Sequence, residues 1–297
     1  MSLAFAESPG RAAGAQRRSE SRHDKALHRF AQATAVLAFF VLFAGGMVTS
    51  TGSGLAVPDW PLSYGRYMPE MIGGVFFEHG HRMIAGIVAL MTWALGIGVW
   101  FREPRRWVRV TAAAAALLIV LQAVLGGITV LYGLPPQVSI AHACLGQVLF
   151  CALAAIAQAT SPAYIDALSA AQGRIWRLGA CAVGAVFIQL VLGAVMRHTG
   201  EALLYHFLWA FAAAGCVLFA GFRGLSLPGG SLSLAGLSAL MAGGVLAQMF
   251  LGVGALWARS SRAISWSAYV PTLHQATGAL ILVSCVLWTL RAHRRGE

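Results

Sequence analysis

A chain of 297 residues that is 58% hydrophobic and 10% charged, with a mean hydropathy of +0.72, carries more apolar surface than a soluble core of its size can bury. Its net charge of +11 would suggest a nucleic-acid partner in a soluble domain, but here the basic residues fall between apolar runs. The composition therefore excludes a soluble globular protein, leaves no case for nucleic acid, and makes membrane lipid the first partner.

Residues 1–29 are polar, basic and rich in Ala, Gly and Ser, which predicts a disordered cytoplasmic tail. Eight apolar runs follow, at about 30–49, 76–100, 110–131, 138–159, 177–195, 203–222, 234–256 and 270–290, each long enough as a helix to cross a hydrocarbon core of about 30 Å. The first is too long, and lacks a small-residue cleavage site, to read as a removed signal peptide. The expected fold is all-α and integral to the membrane, with both termini in the cytoplasm. Sixteen basic residues then fall on the cytoplasmic side, and five (Arg66, Arg82, Arg197, Arg259 and Arg262) on the other.

The spans divide into two four-helix halves, 30–159 and 177–290, joined by a cytoplasmic linker at 160–176 and followed by a tail at 291–297. Gly45–Gly52 (GGMVTSTG) matches Gly193–Gly200 (GAVMRHTG); Gln122, Leu125 and Gly126 match Gln248, Leu251 and Gly252; His142 with Gly146 matches His274 with Gly278. Together these matches in register predict a pseudo-twofold axis along the membrane normal and two equivalent sites. The longest outer loop, about 50–75, carries three prolines, and a loop of that length is more often functional than a bare connector. Most tryptophans near span ends read as interfacial anchors; Trp60, within that loop, is set apart.

His81, His142, His206 and His274 lie just inside the second, fourth, sixth and eighth spans. At about 1.5 Å per residue, all four should sit roughly 5–8 Å below the outer boundary. Intramembrane histidines need partners, and one at a common depth on every even helix is a functional pattern. Glu78 is the only acidic residue within the expected spans, and the five cysteines, all inside spans, form no CxxC spacing, so zinc and di-iron sites lack their usual ligands. Paired neutral imidazoles on facing apolar helices suit axial ligation of haem iron: two haems, or one haem and one haem-like substrate. Glu78 precedes His81 by three residues and places a carboxylate beside a candidate ligand. It can serve as a proton acceptor or a stabiliser of developing positive charge, or simply cap its helix. Arg82 and Arg197 are candidate propionate contacts, with membrane snorkelling the plainer alternative. His79 and His198, near the same surface, read as loop or gate residues.

The segments TGSGLAVPDWPLSYG, FEHGHR, LGGITVL, SIAHACLGQ, LYHFLWA and PTLHQATGALIL together resemble the haem A synthase family over nearly the whole chain after residue 30. The resemblance implies a bacterial inner-membrane oxidoreductase that converts a ring methyl of haem O to a formyl group by successive hydroxylations. Its product, haem A, serves terminal oxidases. By motif match, His206 and His274 ligate a resident haem b, His81 and His142 hold the substrate haem, and Glu78 is the essential carboxylate. An electron acceptor is required, the haem O supplier is a candidate partner, and a homo-oligomer is open. The outer-loop cysteine pair of many members is absent, and Thr49 stands where the first half's pattern calls for Arg. Two other readings compete: a bis-histidine dihaem electron carrier, which has no need of Glu78, and an alternating-access transporter, which would place its site at the midplane.

Overall fold

The computed structural model describes residues 24–162, 164, 175–226, 232–260 and 267–293. Eight helices run through them: α1 Lys25–Ser50, α2 Gly74–Arg102, α3 Arg106–Leu131, α4 Pro136–Ala159, α5 Trp176–Thr199, α6 Leu203–Leu225, α7 Leu232–Ser260 and α8 Tyr269–Ala292. All eight are long and apolar enough to cross a membrane, and the chain is a multi-pass, all-α membrane protein. The helices extend the apolar runs by up to five residues at an end, because polar caps and basic flanks continue the backbone hydrogen bonding beyond the apolar stretch. Thus α1 starts at Lys25, capped by the Asp24 carboxylate accepting the Leu27 N–H at 2.9 Å, so Lys25–Arg29 are helix rather than tail. The last helix likewise runs on to Ala292, into the expected 291–297 tail, while residues 1–23 and 294–297, Arg262 and most of the 160–176 linker lie outside the described residues, as does the Arg259 side chain.

Each half closes as a ring of neighbours: α1 packs on α2, α2 on α3, α3 on α4 and α4 back on α1, and α5–α8 repeat the pattern. Between halves, α1 meets α8 and α4 meets α5, two contacts exchanged by a twofold rotation, while α4 meets its equivalent α8 on the axis. Small residues such as Ala31, Ala35, Ala38, Ala112 and Ala115 are buried in the first half's core and let helices approach closely, which drives association in lipid. Cys151 and Leu287 pack against both cores and join them.

The two ends of the bundle are chemically distinct. At one end Arg102 pairs with Asp24, Arg105 pairs with Glu103 and donates to the Ala159 carbonyl, and Gln158 donates to the Leu287 carbonyl. The other end holds all four histidines and the long α1–α2 loop. There the second half has only a three-residue link: Gly200, at φ 82°, closes α5 and hands over to α6 at Leu203.

Candidate haem site

Each of the four histidines lies within the first two turns of its helix, and its ring is seated on a glycine of the preceding helix. A Cβ added at Gly45 would fall 3.0 Å from Cε1 of His81, at Gly126 3.4 Å from that of His142, at Gly193 3.0 Å from that of His206, and at Gly252 3.1 Å from that of His274. Four residues before each seat glycine, one turn back along the same helix, stand Val41, Gln122, Gln189 and Gln248. Nδ1 of His81, His142 and His274 is buried without a hydrogen bond of good geometry. Amide side chains clasp the His-bearing turns as well: Gln122 and Gln189 donate to the main-chain carbonyls of His142 and His206 at 3.0 and 2.9 Å, and the Gln248 amide lies 3.3 Å from Nε2 of His274. His81 has no such clasp, since Val41 stands in the matching place.

The spacing of the second pair tests the fit to a metalloporphyrin. The ring centres of His206 and His274 are 6.2 Å apart. Two in-line metal–imidazole bonds of about 2.0–2.1 Å, plus the distance from nitrogen to ring centre at each end, place two axial imidazoles about 6.2–6.4 Å apart. The ring separation is therefore compatible with one metal held between the two imidazoles, whose planes are inclined at 72°. Among the described residues no group of three His, Cys, Asp or Glu forms an alternative metal cluster, and all five cysteines are free.

The remaining singled-out residues have other neighbours. Glu78 is 3% exposed; its carboxylate accepts the Val57 N–H at 2.8 Å and pairs with Arg82. Arg82 spends the rest of its guanidinium on the carbonyls of Val57, Asp59 and Leu62, in the α1–α2 loop. His79 is buried, with Nδ1 2.8 Å from the Ser63 hydroxyl. Arg197 crosses between halves, donating to the Gln275 side chain at 2.9 Å, the Gly46 carbonyl at 2.8 Å and the Ser50 hydroxyl at 2.6 Å. It thus links the neighbour of His274 to the neighbour of the His81 seat. Thr49, at the matching place in the first half, only bonds back to the Gly45 carbonyl at 3.3 Å. His198, the residue after Arg197, is half-buried in the last turn of α5.

Sequence reasoning found the four histidines and the repeated glycines but read the glycines only as marks of duplication. Their i, i+4 spacing from Gln122, Gln189 and Gln248 was the available signal for a seat below each ring. Nothing in the sequence showed that Arg82 is committed to the loop or that Arg197 reaches the other half.

The chain is thus a polytopic membrane protein with four histidines near one end of its bundle, two on each half. Residues 70–209 match the family described as cytochrome oxidase assembly protein (COX15-CtaA), a stretch that includes Glu78, His81, His142 and His206. Over part of its length the chain is similar to curated haem A synthases. It is 35% identical over 115 residues to the heme A synthase of Bacillus pumilus, covering 36% of each chain, and 30% identical over 132 residues to that of Geobacillus kaustophilus, covering 43% of this chain and 42% of the other. A longer match, 28% identical over 190 residues, joins it to the heme A synthase of Lysinibacillus sphaericus and covers 62% of each. The matches thus span between about a third and three fifths of these curated relatives' length.

Proposed function

We propose that this protein is a haem A synthase, oxidising a ring methyl of haem O to the formyl group of haem A. The observation that carries the reading is the pair of equivalent histidine sites, of which one has a buried carboxylate, Glu78, three residues before its ligand, and the other has Leu203 at that place. In this reading His206 and His274 hold a resident haem b, which when bound supplies one-electron redox chemistry, and His81 and His142 hold the substrate haem. Chemistry belongs to the N-terminal half because only there does a carboxylate stand beside a ligand; the C-terminal half, with histidines alone, suits electron transfer. Seat glycines and amide clasps fix the imidazoles, so that little rearrangement accompanies ligation. The Glu78 carboxyl is fixed in place by the Val57 N–H and the Arg82 guanidinium, which positions it to stabilise positive charge developing nearby.

Arg197, at the junction of the halves, would exchange a bond to the Gln275 side chain, the Gly46 carbonyl or the Ser50 hydroxyl for one to a propionate. Arg82, whose donors go to Glu78 and three loop carbonyls, acts instead through the loop and the carboxylate. The basic bias places the Asp24 end of the bundle in the bacterial cytoplasm, with the haem sites near the outer face of the inner membrane. Electrons leave to an acceptor, and haem O arrives from its supplier. A dihaem carrier would explain the four histidines but leaves Glu78 and its pairing without a use. The deciding experiment is haem extraction and chromatography from membranes of cells that make haem O. Haem A should appear with the intact chain and fall sharply in Glu78→Ala and His81→Ala while haem b stays bound; haem b alone in every sample would favour the electron carrier.

A further inference from the structure

The largest departure from twofold symmetry is the outer connection. α5 and α6 are joined by three residues, whereas residues 51–73 join α1 to α2. That loop is a fixed body. Three residues of α2 that surround His81 hold it: Glu78 takes the Val57 N–H, His79 meets Ser63, and Arg82 takes the carbonyls of Val57, Asp59 and Leu62. Val57 and Ser63 are fully buried as a result. Within the loop, the Asp59 carboxylate accepts the N–H groups of Tyr64 and Gly65 at 2.7 and 2.8 Å, and the Tyr64 hydroxyl donates to the Ala56 carbonyl.

What this body carries is Trp60. Its neighbours are tied to α2, but its ring lies over Gly127 of α3, where an added Cβ would meet three indole atoms at 2.9–3.1 Å. Gly127 follows Gly126, the seat of His142. Successive helical residues are about 100° apart, so where Gly126 faces α4, Gly127 faces another direction. That direction is toward α2: Ala116, eleven residues and three turns earlier on the same face, is 3.9 Å from the Cβ position of Gly96 in α2. Trp60, 39% exposed, therefore lies over α3 on the side that faces α2, one residue from the seat of His142. An interfacial anchor would have no need of a glycine beneath it or of three tethers on α2.

We propose that Trp60 is the specificity-determining wall of the N-terminal site, closing the α2–α3 seam against the edge of a bound iron porphyrin, with Arg82 and Glu78 as the residues that position it. The inference rests on His81 and His142 being a haem site. An indole there excludes water from the seam and discriminates macrocycles by the substituents on the edge that meets it. Among the described residues, the three-residue link of the C-terminal site carries no counterpart of Trp60.

The test uses the full chain in detergent with His206→Ala and His274→Ala, which leaves only the N-terminal pair, titrated with ferric protoporphyrin IX and followed by its low-spin Soret band. Adding Trp60→Ala should raise Kd about tenfold and Trp60→Phe about two- to threefold, as expected for loss or reduction of one aromatic contact. Arg82→Gln should weaken binding in the same direction while raising proteolysis within residues 55–68. An unchanged Kd in Trp60→Ala overturns the wall. A parent that takes up no porphyrin overturns the haem reading of His81 and His142, a distinct result. Folding is read in the chain with all four histidines, whose C-terminal site should keep its haem in every Trp60 variant. Should Trp60→Ala lose both haems, Trp60→Phe decides: a weakened N-terminal site beside an intact C-terminal one supports the wall, and equal affinity overturns it.

Discussion

Replacing Gly193 with alanine tests the seat beneath a ligand ring. The new Cβ would stand 3.0 Å from Cε1 and 3.4 Å from Nδ1 of His206. Ordinary carbon contacts lie at about 3.5–4.0 Å, so the ring must retreat by about 0.5–1 Å. The helices cannot easily separate instead, because Gln189 holds the His206 carbonyl at 2.9 Å and Trp209 of α6 donates to the Ala185 carbonyl of α5 at 2.9 Å. A retreat of that size is a quarter to a half of a metal–imidazole bond of about 2 Å, enough to break or stretch axial ligation. Visible and electron paramagnetic resonance spectra of the purified protein should show the C-terminal haem passing from low-spin, six-coordinate to high-spin or being lost. Gly184→Ala is the control on the same helix: nothing lies within 4 Å of its Cβ position, and alanine there gains about 0.5–1 kcal/mol of helix preference. Full occupancy and an unaltered low-spin spectrum in Gly193→Ala would refute the seat.

Arg197→Leu removes three charge-assisted hydrogen bonds, two of which (to the Gly46 carbonyl and the Ser50 hydroxyl) join the halves, each worth about 1.5–3 kcal/mol at most, and leaves the Gln275 and Ser50 side chains to find other partners. Thermal unfolding in detergent should fall by several degrees, and an unchanged midpoint would mean that the bridge does not hold the halves. Gly224→Ala should also destabilise, by about 1–3 kcal/mol through overpacking. Its Cβ would lie 2.5 Å from the Ser238 hydroxyl and 2.7 Å from Nε1 of the fully buried Trp288, and the haem spectrum should not change. The Gly65 and then the Tyr64 N–H hold the Asp59 carboxyl below its ordinary pKa of 3.8. A depressed folded-state pKa contributes loop stability that is present above 3.8 and lost as pH falls through the folded value. Loop proteolysis by an acid protease should therefore rise on acidification below about pH 4 in the parent. It should depend less on pH in Asp59→Asn; identical profiles would show that the carboxylate does not hold the loop.

Number, order and approximate ends of the helices were legible in the sequence because lipid imposes a local rule: about 20 apolar residues that satisfy their own backbone. Duplication and the histidine on every even helix were legible for the same reason, since both are matters of register along the chain. Rotation of each helix about its axis was not, because helices apolar all round carry little periodic signal for which face meets which neighbour. Only tertiary structure showed that Gly45, Gly126, Gly193 and Gly252 are seats for imidazole rings, that Arg197 serves the opposite half, and that Arg82 holds the α1–α2 loop. The same holds for Trp60: spacing marks it as a loop residue, but its ring reaches Gly127 only because α2 tethers the loop across the seam to α3. Hydropathy is a sum over neighbours in the chain, whereas a site is a meeting of residues that only packing brings together.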